Sequence, residues 1–272
     1  MAGQAEKGTT FRALHQRDRA FIIPNPWDVG TARLLQSLGF EALATTSAGF
    51  AFSIGKPDGA VDRGAMLAHA ADLVGATDLP VSADLENGYG DDPAAVAETV
   101  RLAADTGLAG CSIEDVGARR QPAPYELSLA AERIRAAAEV VRSLPFPFVL
   151  TARAENYVIG HPDLRDTITR LQAFQEAGAD VLFAPGLKSK QDIVTVIGSV
   201  DRPVNVVMGL QGVQLTLAEL SEIGVRRVSV GSALSRAALG AFLRAAREMQ
   251  AHGTFTFAEE AVKYAEMNQI FS

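Results

Sequence analysis

Residues 79–90 read LPVSADLENGYG, an apolar run that ends on two acids, Asp84 and Glu86, and then an Asn-Gly turn. The arrangement recurs at 108–115, LAGCSIED, which ends on Glu114 and Asp115. It recurs again at 145–157, PFPFVLTARAENY, which carries Arg153 and Glu155. Buried strands that each finish in charged side chains place those charges at one end of a common sheet, where parallel α/β proteins build their chemistry. Strand side chains alternate, so Ser82, Asp84 and Glu86 are expected on one face, Ser112 and Glu114 on one face, and Thr151, Arg153 and Glu155 together. Cys111, Ile113 and Asp115 fall on the opposite face and are expected under a helix.

Outward from these runs the same rhythm continues. Strand candidates lie at 20–25, 41–47, 79–84, 109–115, 146–153, 180–185, 202–207 and 226–231. Segments with apolar residues three and four apart separate them, at 31–38, 63–75, 93–106, 128–143, 164–177, 191–198 and 216–223. Asp92-Pro93 and Ser128 read as helix starts, and Gly39, Gly75, Gly107, Gly178 and Gly224 as helix stops. Eight strands interleaved with helices predict a (β/α)₈ barrel. A doubly wound open sheet is the alternative, weakened because PNPWDVG after the first strand lacks a glycine-rich phosphate fingerprint. The expected organisation is a single barrel domain over 1–272, with 253–272 as a C-terminal helical extension. That tail carries Phe255, Phe257, Tyr264 and Phe271, and it would pack either on its own barrel or on a neighbouring subunit.

Converging carboxylates repel one another unless a positive charge sits among them. Oxygen-only ligands favour a hard cation, so Asp84, Glu86 and Glu114 are candidate ligands of Mg²⁺, with Mn²⁺ also suited. Arg153 could instead neutralise some of them as an ion pair. His15, His69, His161 and His252 are scattered, which argues against a zinc site. The second strand leads into TTSAGFAFSIGKPDG, whose small residues could bring backbone N–H groups to an anion. Asp58 in that segment is a candidate acid–base group.

Composition narrows the field. The chain has 272 residues, 48% hydrophobic and 21% charged, ample for a large core. A net charge of -7 without any Lys/Arg run argues against a nucleic-acid partner. The single cysteine excludes an intrachain disulfide. No apolar stretch approaches the roughly 20 residues of a membrane helix, and the polar N-terminus lacks a signal-peptide core. A cytoplasmic protein with no membrane partner is expected.

Taken together and in order, PNPWD, TTSAGFA with a following GxPDG, ADxENGYG, CSIED, TARAENY and GVRRVSVGSAL resemble the isocitrate lyase/phosphoenolpyruvate mutase superfamily. The resemblance spans about Phe21 to Leu239. It implies a (β/α)₈ barrel that binds Mg²⁺ and a small 2-oxo acid or its enolate, in a homotetramer, a dimer of dimers, that exchanges a C-terminal helix. It further implies Asp84 as direct metal ligand, with Glu86 and Glu114 holding metal-bound waters. Arg153 would grip a substrate carboxylate, Ser47, Ala48 and Gly49 would cradle substrate, and Trp27, Asp28 and Asn205 would border the pocket. Asp58 matches the family's loop aspartate.

Two departures bear on the reaction. The lyase loop signature Lys-Lys-x-Cys-Gly-His is replaced by VGARRQPAPYELS at 116–128, and Pro185-Gly186 stands where relatives often present Glu or His. The general acid would then be a metal-bound water or Tyr89. The resulting expectation is a Mg²⁺-dependent enzyme acting on a small 2-oxo carboxylate in a C–C lyase or decarboxylase sense. The alternatives are a C–P phosphonomutase or phosphonopyruvate hydrolase, in which Arg119 and Arg120 could meet a phosphono acid, and a non-catalytic 2-oxo acid binder.

Overall fold

The computed structural model describes residues 2–117, 123–210 and 212–272. Eight short parallel strands form its centre: β1 Phe21–Ile23, β2 Leu43–Ala44, β3 Val81–Asp84, β4 Gly110–Glu114, β5 Val149–Arg153, β6 Val181–Phe183, β7 Val204–Val207 and β8 Arg227–Ser229. From β2 to β8 each strand pairs with the next in sequence, and β1 pairs with β8, with Phe21 opposite Arg227. That pairing brings the first strand round to the last, which an open doubly wound sheet does not do. Between β1 and β2 the sheet is nearly closed, with the Ala44 N–H donating to the Pro24 carbonyl at 3.1 Å. The result is a (β/α)₈ barrel.

The helices α1 Gln4–Leu14, α2 Val29–Ser37, α3 Ser47–Ser53, α4 Arg63–Ala76, α5 Pro93–Ala104 and α6 Leu127–Ser143 are followed by α7 Leu164–Ala177, α8 Lys190–Ile197, α9 Leu217–Glu222, α10 Ala233–His252 and α11 Tyr264–Phe271. The main core lies between the barrel and its helices, where Cys111, Ile113, Ala152 and Leu182 meet Val100, Ala137 and Phe174. Asp92 caps α5 by accepting from the Ala95 N–H, with Pro93 in the first turn. Ser128 does not cap α6, which begins one residue earlier at Leu127 after Glu126. Gly75 does not end α4 either; it sits inside the last turn, and extended Thr77 stops the helix.

Helix α1 has no counterpart in the sequence reading because its overall pattern is polar. Its buried side, Phe11 and Leu14, packs on Phe21, Ala109, Val149 and Val181, residues at the beginnings of strands. It therefore plugs the N-terminal mouth of the barrel. Gly8 is required there, since a Cβ would stand 2.0 Å from the Pro147 carbonyl oxygen.

The C-terminal segment expected as one helix divides into a 3₁₀ turn, Thr256–Glu260, and α11. The Glu248 carboxylate accepts from Thr256 N–H and Phe257 N–H and from the Thr254 hydroxyl, which fixes the turn. Helix α11 lies beside α2, with the Phe271 ring next to Gly30. Helix α10 buries only Ser235, leaving Phe242, Leu243 and Met249 exposed. Among the described residues no helix is long and apolar enough to cross a membrane.

Candidate active site

Asp84, Glu114, Arg153 and Phe183 are the last residues of β3, β4, β5 and β6. They stand at the C-terminal mouth of the barrel around a cavity of about 340 Å³. Small inward residues, Ala44, Ser82 and Ser112, leave this space open where a barrel interior is ordinarily filled. The cavity is also lined by Ser47, Ala48, Asp58, Glu155 and Asn205.

Arg153 organises the site. Its Nη1 lies 2.9 Å from both Asp84 Oδ1 and Glu114 Oε1, and its Nε donates to Glu155 Oε1 at 2.7 Å. The Phe183 ring packs beneath the guanidinium, 5.1 Å from its centre. Burial alone would lower the Arg153 pKa, but the carboxylates of Glu114, Glu155 and Asp84 outweigh it and hold the residue a cation. Burial raises the pKa of Glu114 and of Glu155, against the pull of Arg153. Burial, then the charge of Asp84, also raises Asp58 above the usual aspartate value.

Behind this layer Asp115 faces away from the cavity, as the alternation along β4 requires. It accepts from the Glu155 N–H at 2.9 Å and meets Arg170 at 3.2 Å, which anchors the Glu155 backbone.

The segment after β2 folds differently from a backbone cradle. Ser47 opens α3, and its N–H and hydroxyl both donate to Asp84 Oδ2, at 3.2 and 2.9 Å. Thr46 caps the helix by accepting from the Gly49 N–H. Gly49 does not line the cavity; a Cβ there would meet Thr46 Cγ2 at 2.5 Å and Trp27 Cβ at 3.2 Å, so packing demands the glycine. Trp27 is likewise off the cavity wall, and Asp28 caps α2 through the Thr31 N–H.

Glu86 and Tyr89 are placed apart from the cavity lining. β3 ends at Asp84, and both residues adopt positive φ, 49° and 58°. The chain has turned, so the alternation that links Ser82 to Asp84 does not extend to Glu86. Its carboxylate lies beside the Tyr89 hydroxyl, and both are buried with no well-aligned hydrogen bond to any other group. Burial, with Asp84 and Asp58 nearby, raises the Glu86 pKa to about 7, and burial beside Glu86 raises that of Tyr89. Arg119 and Arg120 lie outside the described residues.

Among the wall residues that the sequence reading left unassigned, three are polar residues on or beside β1 and β8. Asn25 donates to the Thr45 carbonyl and accepts from Val230 and Gly231 N–H, tying β1, β2 and β8 together. PNPWD held the signal for it. Ser229 and Arg227 complete the wall on β8, inside GVRRVSVGSAL, where alternation alone gave them no role.

The donors facing the cavity fit a hard cation, since the acids supply oxygen and neither histidine nor cysteine lines it. Among the described residues no three acid, histidine or cysteine side chains form a preformed metal cage. Asp84 and Glu114 share the Arg153 guanidinium instead. Mg²⁺ suits such a sparse set because it takes one or two carboxylates and retains waters.

Residues 11–250 match the family model described as phosphoenolpyruvate phosphomutase. A chain from Burkholderia cenocepacia J2315, described as a candidate lyase/mutase, is 61% identical and superimposes with a TM-score of 0.96 over 99% of this chain and 96% of that one. The protein named Probable 2-methylisocitrate lyase 2 of Corynebacterium glutamicum is 31% identical over 86% of this chain and 78% of its own. The structure of 2,3-dimethylmalate lyase, described as a PEP mutase/isocitrate lyase superfamily member, is 28% identical with a TM-score of 0.87, covering 100% of this chain and 95% of that one. The chain belongs to the phosphoenolpyruvate phosphomutase family, within the PEP mutase/isocitrate lyase superfamily.

Proposed function

We propose that this chain is a Mg²⁺-dependent lyase that acts on a small 2-oxo carboxylate through an enolate-like intermediate, in a C–C lyase or decarboxylase sense. The observation that carries the reading is the Arg153 guanidinium held among Asp84, Glu114 and Glu155 at the mouth of the cavity. The names of two relatives, a 2-methylisocitrate lyase and a 2,3-dimethylmalate lyase, support the lyase sense.

Asp84 would ligate the metal, with Glu114 and, after rearrangement of its turn, Glu86 holding its waters. Bound Mg²⁺ would polarise the 2-oxo group as a Lewis acid. Arg153 binds the substrate carboxylate through its planar fork and fixes its plane. Ser47 steadies Asp84 through two hydrogen bonds and, with Ala48, borders the substrate. Asp58, at the cavity wall with its pKa raised by burial, is the acid–base group that would deliver a proton to the enolate carbon once the C–C bond has broken. Tyr89 is a weaker candidate for that role, because its hydroxyl lies off the cavity wall.

The family model's phosphomutase description favours a second reading, C–P bond chemistry on a phosphono acid. Incubating the protein with 2-oxo, 2-hydroxy and phosphono acids, with and without Mg²⁺, and following products by NMR separates the two. Mg²⁺-dependent C–C cleavage is the expected result. Turnover of phosphono acids alone selects the second reading, and metal-dependent binding without turnover of any acid selects a non-catalytic binder.

A further inference from the structure

Below the Arg153 layer, a second arginine spans the floor of the cavity. Arg227, 5% exposed, begins β8 and reaches across the barrel. Its Nε donates to Asn205 Oδ1 at 2.9 Å, and its Nη2 donates to the Thr151 hydroxyl on β5 at 3.0 Å. Its Nη1 lies 3.4 Å from His15 Nε2. His15 Nδ1 faces the Phe11 carbonyl at 2.8 Å and must donate to it, which leaves Nε2 as the acceptor toward Arg227. The barrel plug α1 thus holds the guanidinium from below. None of these partners is a carboxylate.

A guanidinium has no acceptor, so the atom of Asn205 that meets it must be the amide oxygen. The amide nitrogen is then directed to the Ser229 hydroxyl, at 3.0 Å. Asn205 lines the cavity, and its oxygen is already engaged by Arg227. With one lone pair held by Arg227 and one N–H by Ser229, the amide orientation is fixed, and its second N–H is the donor it can offer a ligand. We infer that Arg227 is a positioning residue that fixes the orientation of the Asn205 amide, so that this wall of the pocket presents an N–H to an accepting ligand oxygen, such as a carboxylate or enolate oxygen, and disfavours a group that can only donate. The inference deepens the 2-oxo acid reading and rests on it for the identity of the ligand. The orientation of Asn205 itself does not depend on that reading.

Two measurements test it. The first is calorimetric binding of oxaloacetate and pyruvate to the Mg²⁺-loaded protein in a cycle of Arg227→Met, Asn205→Ala and the double variant. Each single variant is expected to weaken binding roughly tenfold or more. The double variant is expected to be no weaker than Asn205→Ala alone, because Arg227 acts through Asn205. Unchanged affinity in Arg227→Met, or full additivity, overturns the inference. Arg227→Lys keeps one donor and the charge, and should fall between parent and Met. A folded Lys variant no better than Met also overturns it.

The second measurement is the side-chain amide resonance of Asn205, assigned by its loss in Asn205→Ala. It should be protected from water exchange in the parent and lose protection in the Arg227 variants. Equal protection in all of them overturns the inference. If no 2-oxo acid binds the parent, the functional reading fails, and this resonance still decides the role of Arg227.

Discussion

Replacing Arg153 by lysine probes the geometry of the site while retaining its charge. The guanidinium uses two edges, Nη1 toward Asp84 and Glu114 at 2.9 Å each and Nε toward Glu155 at 2.7 Å. A lysine ammonium is a single point on a flexible stem and cannot serve both edges or grip a carboxylate with two parallel bonds. Losing one or two charge-assisted hydrogen bonds to the ligand costs about 1.5–3 kcal/mol. Arg153→Lys should therefore weaken 2-oxo acid binding by roughly ten- to a hundredfold or somewhat more. Calorimetry with oxaloacetate and 2-oxoglutarate at saturating Mg²⁺ reads this directly, and Mg²⁺ affinity measured alone should change less. A lysine variant that binds the acids as tightly as the parent would refute the assignment of Arg153 to the substrate carboxylate. A loss confined to Mg²⁺ affinity would place the residue in the metal site instead.

Cys111 is fully buried in the core beneath the helices, and burial raises its thiol pKa, so it serves packing rather than chemistry. Cys111→Ala should cost about 1–2 kcal/mol in urea unfolding and leave ligand binding intact; lost turnover in a folded variant would revive a cysteine acid. Light scattering on the chain ending at His252 tests whether the C-terminal segment docks on a second subunit, as the exposed Phe242, Phe255 and Tyr264 suggest. Smaller species are expected after truncation, and a monomer before and after would end the idea. His15 is buried, and burial and then Arg227 hold its pKa down to about 3, so the unfolded chain takes up the proton first as pH falls below 6.5. The buried acids with raised pKa, among them Asp115, act in the opposite sense, so the comparison is made against His15→Gln. Relative to that variant, the parent should lose about 2 kcal/mol of unfolding free energy between pH 7 and pH 5. A pH-independent difference would mean that the imidazole titrates in the fold with the same pKa as in the unfolded chain.

The sequence made the barrel legible because β3, β4 and β5 keep the two-residue alternation up to their final residues. Asp84, Glu114 and Arg153 could be placed on that basis alone. Glu86 could not: it lies two residues beyond the end of β3, where a positive φ turns the chain and cancels the parity argument. Glu155 is equally far beyond β5 yet remains at the site, because the Asp115 carboxylate holds its backbone N–H. Ser47 was readable as a pocket residue but not as the start of a helix. Arg227 and Asn25 lie inside readable motifs, GVRRVSVGSAL and PNPWD, but their roles could not be assigned, since their partners lie far along the chain and only barrel closure brings them together.

The central claim is a Mg²⁺-dependent 2-oxo acid site built on Asp84. Thermal unfolding of the parent and Asp84→Ala, each titrated with Mg²⁺ in the presence and absence of oxaloacetate, tests it most directly. The parent should be stabilised by Mg²⁺ and further by the acid only when Mg²⁺ is present, as linkage requires of ligands that bind the folded state. Asp84→Ala should fold and show neither response. Parallel titrations of parent and variant, or stabilisation by the acid that is indifferent to Mg²⁺, would contradict the account.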